Sequence, residues 1–360
     1  MREIDLPPAE KKEVALGYLK LTDAAPIILA NELGYFRDVG LEVRLEQDVT
    51  WANIRDKLAT GALDGAQMLA PMPAMATLGI SGLRVPLITG LVLSRNGNAI
   101  TLSSQALRDV SVAEHALSNR LISGSIVSAL LSRRESLTFA VVHGFSTHTL
   151  LLRRWLREGG VDPDHDVNVI IIPPAQVVDS LQAGLIDGFC AGAPWATIAS
   201  EKQAGVTVAA GIDVWKHAPE KVFCVSEAWH DRHSATHLRL RIALMRACEW
   251  LAKMDNRVEC AEILSLPCYL DLPVEQLLPS LVGEMVLGVE TSRQSIPDFQ
   301  VFNPIAPDKS EFAGLIAECT DMVGNKATPI QVAALADQTA RPDLFEVANR
   351  YLHPKVQASV

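Results

Sequence analysis

Residues 51–71, WANIRDKLATGALDGAQMLAP, are echoed by residues 174–194, PAQVVDSLQAGLIDGFCAGAP, and the two stretches align without a gap. Asp187 stands 123 residues after Asp64, and at that same offset Ala52 meets Ala175, Asp56 meets Asp179, Leu58 meets Leu181, Gly61 meets Gly184 and Pro71 meets Pro194. Each copy reads as a helix, a glycine placed to close it in the left-handed conformation, an Asp-Gly turn, and a short apolar strand that stops at a proline. A further helix and strand precede each copy: PIILANELGYFRDVG before LEVRLEQ (41–47), and THTLLLRRWLREGG before VNVIIIPP (167–174). The chain thus carries two αβαβ units of like build.

Length and composition agree with two lobes. A chain of 360 residues exceeds one comfortable core. With 49% hydrophobic and 21% charged residues it has ample apolar material to bury. The runs VIII (169–172) and PLITGLVL (86–93) are too short to span a membrane and read as strands buried on both faces of a parallel sheet. Between the repeats, RNGNAITLSSQALRD (95–109) reads as a first crossing between lobes and DVWKHAPEKVFCVSEAW (213–229) as the return. The expected division is a first lobe of residues 1–103 plus 218–360, whose C-terminal part is helical, and a second lobe of residues 104–217.

Ligands of open α/β sheets bind beyond the carboxyl ends of the strands, so two facing lobes place a cleft there. Thr50 is set to cap the helix that begins at Trp51, leaving helix N–H groups and the positive dipole end near a strand tip, a position that favours anions. In the second lobe Ser146, Thr147, His148 and Thr149 open a helix at the equivalent depth. Plainer roles stand beside these: packing for Trp51, capping for His148, and a solvated surface position for Lys221.

Other chemistries find little footing. The chain has no GxSxG, P-loop or GxGxxG motif, so no enzyme is expected. His230, His233 and His237 have helical metal-like spacing but no HExxH, and neither a metal nor a cofactor is expected. A net charge of −10 argues against a nucleic-acid-binding surface. The six cysteines show no CxxC pair and suit free thiols. MREIDLPPAEKK lacks the apolar core of an export signal, which gives the expectation of a cytoplasmic protein without membrane association.

The segments LTDAAPIILANELGYF (21–36), TWANIRDKLATGALDGAQMLAPMP (50–73), NGNAIT (96–101), THTLLLRRWLREGGVDPDHDV (147–167), PPAQVVDSLQAGLIDGFCAGAPW (173–195) and APEKVF (218–223) together resemble the nitrate/bicarbonate branch of ABC-transporter solute-binding proteins. That resemblance implies a type II periplasmic-binding-protein fold, α/β, with a small oxyanion held between two lobes. It implies ligand contacts from Trp51, Asn98, His148 and Lys221, completed by Gly97 and Pro194-Trp195. Bicarbonate-binding members are similar but have an acidic residue and a calcium ion where Lys221 stands. A lining of donors alone, from Lys221, Asn98, His148 and the Thr147 hydroxyl, suits nitrate or nitrite, which have only acceptor oxygens. Members without an export signal resemble cytoplasmic nitrate/nitrite sensors that hold an ANTAR-type RNA-binding antiterminator until the anion arrives. That is the expected function, and a nitrate ABC-transporter binding component is the alternative.

Overall fold

The computed structural model describes residues 6–354, apart from 81, 119, 289–291 and 326. Its strands, in chain order, are β1 (Glu13–Leu19), β2 (Glu42–Asp48), β3 (Gly65–Leu69), β4 (Leu87–Asn96), β5 (Asn98–Ser103), β6 (Thr138–Val141), β7 (Asn168–Ile171), β8 (Gly188–Gly192), β9 (Gly205–Ala210), β10 (Pro219–Ser226), a small hairpin β11 (Glu284–Val286) and β12 (Arg293–Ser295), and β13 (Gln300–Val301). They form two main sheets. The first runs β2-β1-β3-β10-β4-β13 and the second β7-β6-β8-β5-β9.

The internal repeat explains this correspondence. The helices Trp51–Thr60 and Val177–Gln182 lead into β3 and β8, with Gly61 (φ 76°) and Gly184 (φ 69°) supplying the left-handed turns. Asp64 and Asp187 then do the same work in each lobe. The Asp64 carboxylate accepts the Ala15 amide at 2.9 Å and pairs with Lys11 at 2.6 Å. The Asp187 carboxylate accepts the Thr138 amide at 2.9 Å and pairs with Arg134 at 2.8 Å. Ala15 and Thr138, and Lys11 and Arg134, lie at the same 123-residue offset as the aspartates. Each aspartate thereby ties its turn to the neighbouring parallel strand.

Three expectations need correction. The first crossing falls at Gly97 and not after residue 103, because β4 lies in the first sheet and β5, which begins at Asn98, in the second. Asn96 (φ 59°) and Gly97 (φ 87°) are both left-handed, so the chain turns there and the NGN triplet is the crossing point. The sheets are mixed and not wholly parallel: β10 runs antiparallel between β3 and β4, and β5 antiparallel between β8 and β9. In each sheet this fourth strand is the one that has just crossed from the other lobe. VIII (169–172) is an edge strand, with Ile171 62% exposed, because an apolar run of that length looks the same whether one or both of its sides are covered.

The helices Ala25–Glu32, Ser234–Leu251 and Pro342–Leu352 pack together behind the first sheet. No helix among the described residues is long and apolar enough to cross a membrane. A separate apolar cluster runs from Trp51, Met68 and Leu69 of the first lobe to Phe189, Ala191 and Trp195 of the second, so the lobes are pressed together over their facing surfaces.

A candidate ligand-binding site between the lobes

Local sequence brings two helix starts to the carboxyl ends of the strands. Thr50 caps the helix Trp51–Thr60 by accepting the Asn53 amide at 3.2 Å, and Ser146 caps the helix Thr147–Glu158 by accepting the Thr149 amide at 3.1 Å. Trp51 and His148 are fully buried at these two starts. Both reach one pair of residues on β10. The Lys221 ammonium lies 5.3 Å from the centre of the Trp51 ring, and His148 Nε2 lies 3.4 Å from Glu220 Oε1, outside hydrogen-bonding geometry.

Lys221 is a buried charge and not a solvated one. It pairs with Asp23 Oδ2 at 2.8 Å and with Glu220, and none of the three side chains is exposed. Burial alone would pull the lysine towards neutrality, but the Asp23 and Glu220 carboxylates outweigh it and hold the ammonium above its ordinary value. Burial pushes the Asp23 carboxyl up, opposed by Lys221. His148 is driven well below its usual range by burial and then by the Lys221 charge, and His143 behind it down to about 4 by burial and the Arg55 charge. His148 is therefore a neutral imidazole, with one N–H donor and one acceptor nitrogen.

A lining of donors alone does not survive this geometry. Asp23 and Glu220 are acceptors set in the centre of the cluster, and neither is among the residues expected from the sequence. The Asn98 amide, expected to face the anion, donates to Glu220 Oε2 at 2.5 Å, and its carbonyl oxygen has no partner among the described residues. The Thr147 hydroxyl is also engaged: it donates to the Pro219 carbonyl at 2.8 Å and so ties the second lobe to β10. Gly97 packs against Gln300, whose Nε2 would lie 3.0 Å from a Cβ there. The Ala193 carbonyl before Pro194 accepts the Thr22 amide at 3.0 Å, a second tie between lobes.

What is left for a ligand is a set of buried polar atoms with no hydrogen-bond partner among the described residues: Trp51 Nε1, Trp195 Nε1, both ring nitrogens of His148, Gln300 Nε2 and Asn98 Oδ1. Shared neighbours tie several of them to one place. Asn98 Oδ1 and Asp23 Oδ2 both lie 3.5 Å from where a Cβ on Gly192 would stand, three residues before Trp195. Gln300 Oε1 accepts from the Thr22 hydroxyl at 3.1 Å, next to Asp23. Buried polar groups are almost always paired, so several unpaired ones close to the Asp23–Lys221 pair mark a candidate place for a polar ligand. A hollow of about 120 Å³, lined by Leu19, Lys20 and Val49 on one side and Pro173 and Gln176 on the other, opens between the sheets towards solvent. A broader hollow of about 710 Å³ lies at the opposite ends of β1 and β2, away from these groups. Glu220 was signalled by its place beside Lys221, and Asp23 by its place inside LTDAAP; Gln300 carried no sequence signal.

The histidines 230, 233 and 237 do not all three converge: His237 Nδ1 meets His230 Nδ1 at 3.0 Å, while the His233 ring lies tilted against Trp229.

The profile of a family described as the NMT1-like family matches residues 7–265. Over 349 residues the chain is 37% identical to the nitrate import ATP-binding protein NrtC of Synechocystis sp. (strain ATCC 27184 / PCC 6803 / Kazusa), covering 95% of this chain and 51% of that protein. It is 31% identical over 287 residues to the bicarbonate-binding protein CmpA of Synechococcus sp. (strain ATCC 27144 / PCC 6301 / SAUG 1402/1), covering 78% of this chain and 63% of that one. In three dimensions it is similar to the crystal structure of the periplasmic nitrate-binding protein NrtA from Synechocystis PCC 6803, with a TM-score of 0.89, 26% identity, and coverage of 96% of this chain and 90% of that one. The fold is that of the periplasmic binding proteins. The chain spans about half the length of the nitrate import relative, 51%, and under two thirds of the bicarbonate-binding one, 63%.

Proposed function

From the premise that this chain belongs to the NMT1-like family and is a homologue of nitrate- and bicarbonate-binding solute-binding proteins, we propose that it binds a small monovalent oxyanion between its lobes, as the binding component of an ABC import system. The observation that carries this reading is the set of buried donors without a hydrogen-bond partner among the described residues, Trp51 Nε1, Trp195 Nε1, Gln300 Nε2 and one nitrogen of His148, with the Trp51 ring set against the Lys221 ammonium. A planar oxyanion offers acceptor oxygens in several directions at once, which matches donors arriving from different elements. A dianion fits poorly, because two carboxylates already share the single ammonium. Those same carboxylates weaken the electrostatic case for nitrate over bicarbonate, since an acceptor is at hand for bicarbonate's O–H.

Calorimetric titration with nitrate, nitrite, bicarbonate and sulfate tests the proposal. Saturable binding of at least one monovalent anion and none of sulfate is expected; failure of all three monovalent anions to bind would refute it. The narrower role expected from the sequence, a cytoplasmic sensor releasing an ANTAR-type antiterminator, finds less support in relatives whose names speak of import and binding. Size-exclusion chromatography of the protein mixed with such an antiterminator, with and without nitrate, separates the two roles: a complex lost on adding nitrate would favour the sensor.

A further inference from the structure

Resting on the reading of the cleft as an oxyanion site, we propose that the site takes up one proton, on Asp23, for each monovalent anion it binds. Asp23, Glu220 and Lys221 form one cluster, and each is buried to 0% exposure. With both carboxylates ionised the cluster holds two negative charges against one positive. A monovalent anion seated among the neighbouring donors would raise the excess to two negative charges in a place closed to water, where charge repulsion is screened least.

The groups that face the cluster leave one acceptor for the compensating proton. His148, from the helix Thr147–Glu158, stays neutral because an imidazolium would be buried beside Lys221, and His143 behind it is held neutral by burial and by Arg55. Cys190, on β8, is a buried thiol near Glu220 and is already protonated. Glu220 is engaged by Lys221 and by the Asn98 amide, with His148 beside it. Asp23 has the Gln67 amide on Oδ1 at 2.6 Å, while among the described residues its Oδ2 has only the ammonium it shares with Glu220. Burial already favours the protonated form of Asp23.

The balance is simple. One proton passes from solvent to Asp23 Oδ2, the anion keeps its charge, and no covalent bond other than that O–H is made or broken. The proton converts an acceptor that would repel the anion into a donor that can bind it.

The experiment is titration of the full chain with sodium nitrate in buffers of different ionisation enthalpy, at several pH values. Heats that differ between buffers by an amount equal to one proton taken up per nitrate, with affinity falling about tenfold per pH unit above the carboxyl's titration, are expected. In Asp23→Asn, whose side chain is neutral at every pH, nitrate should still bind, with no proton uptake and an affinity independent of pH. Nitrate binding by the unsubstituted chain with equal heats in all buffers would overturn the proposal and leave the oxyanion reading standing. Absence of binding of nitrate, nitrite and bicarbonate alike, in both proteins, would overturn both. The buffer comparison needs no variant, so a failure of Asp23→Asn to fold does not spare the proposal.

Discussion

Replacing Lys221 by methionine keeps most of the buried aliphatic stem and removes the one positive charge in the cluster. At 2.8 Å from Asp23 the pair attraction is worth about 6 kcal/mol at an effective dielectric of about 20, before the lysine's own desolvation is subtracted. Breaking a buried pair by removing one partner costs about 3–5 kcal/mol. A ceiling applies, because the abandoned carboxyl can protonate instead of remaining charged. From an ordinary value of 3.8, protonation at pH 7 costs about 4 kcal/mol, and at pH 5 about 2 kcal/mol, at about 1.36 kcal/mol per unit. The sign follows from the direction of the shift. Asp23 is raised in the folded state, so the stability linked to its proton is present at low pH and lost as pH rises through the folded value. Without Lys221 that value moves higher still, and the variant's deficit should be largest at neutral pH and shrink on acidification. Urea unfolding of both proteins at pH 7 and pH 5, followed by tryptophan fluorescence, measures it. A deficit under about 1 kcal/mol at pH 7, or one unchanged at pH 5, would refute the view that the ammonium holds two ionised carboxylates together.

Trp51→Phe removes the Nε1 donor together with part of the buried ring; nitrate affinity should fall roughly tenfold to a hundredfold by calorimetry, with a loss of stability of about 1 kcal/mol or more from the space left behind. Gly61→Ala and Gly184→Ala, each at positive φ with no atom within 4 Å of the new methyl, should each cost about 1 kcal/mol in urea unfolding, and by nearly equal amounts. Asp64→Asn should be more destabilising than Asp187→Asn, by about 1 kcal/mol in the same assay, because Asp64 also accepts the Trp229 indole N–H at 2.7 Å.

Much of the fold was legible because the repeat is an alignment of local necessities. A helix that ends in a left-handed residue wants glycine, and an Asp-Gly turn between helix and strand recurs wherever the same corner recurs. The 123-residue offset reaches further than the compared stretches, to Lys11 and Arg134 and to Ala15 and Thr138, since the aspartate of each turn must meet the start of the neighbouring strand. The exact crossing was less legible. NGN signals a turn but not which sheet claims the strand after it, and Asn98 is sorted into the second sheet by its pairing with Gly192, 94 residues away.

The placement of the candidate site's donors was legible and that of its acceptors was not, for a physical reason. Trp51 and His148 announce themselves because each stands in the first turn of a helix with a readable cap, so depth follows from local sequence. A buried carboxylate has no such local signature: Asp23 looks like any polar residue after a strand until a lysine 198 positions later is brought to 2.8 Å. Charges found one by one therefore misstate a site whose sign is set by their sum. Lys221 taken alone describes a cationic pocket awaiting an anion, whereas Lys221 with Asp23 and Glu220 describes a pocket whose two carboxyls, when both are ionised, leave one negative charge in excess. Any anion that binds there has to be received by neutral donors, the indole, imidazole and amide N–H groups, with the ammonium serving first to keep the carboxylates in place. It follows that affinity should respond more steeply to loss of a neutral donor such as Trp51 Nε1 than its lack of charge suggests, while loss of Lys221 should be felt in stability as much as in binding.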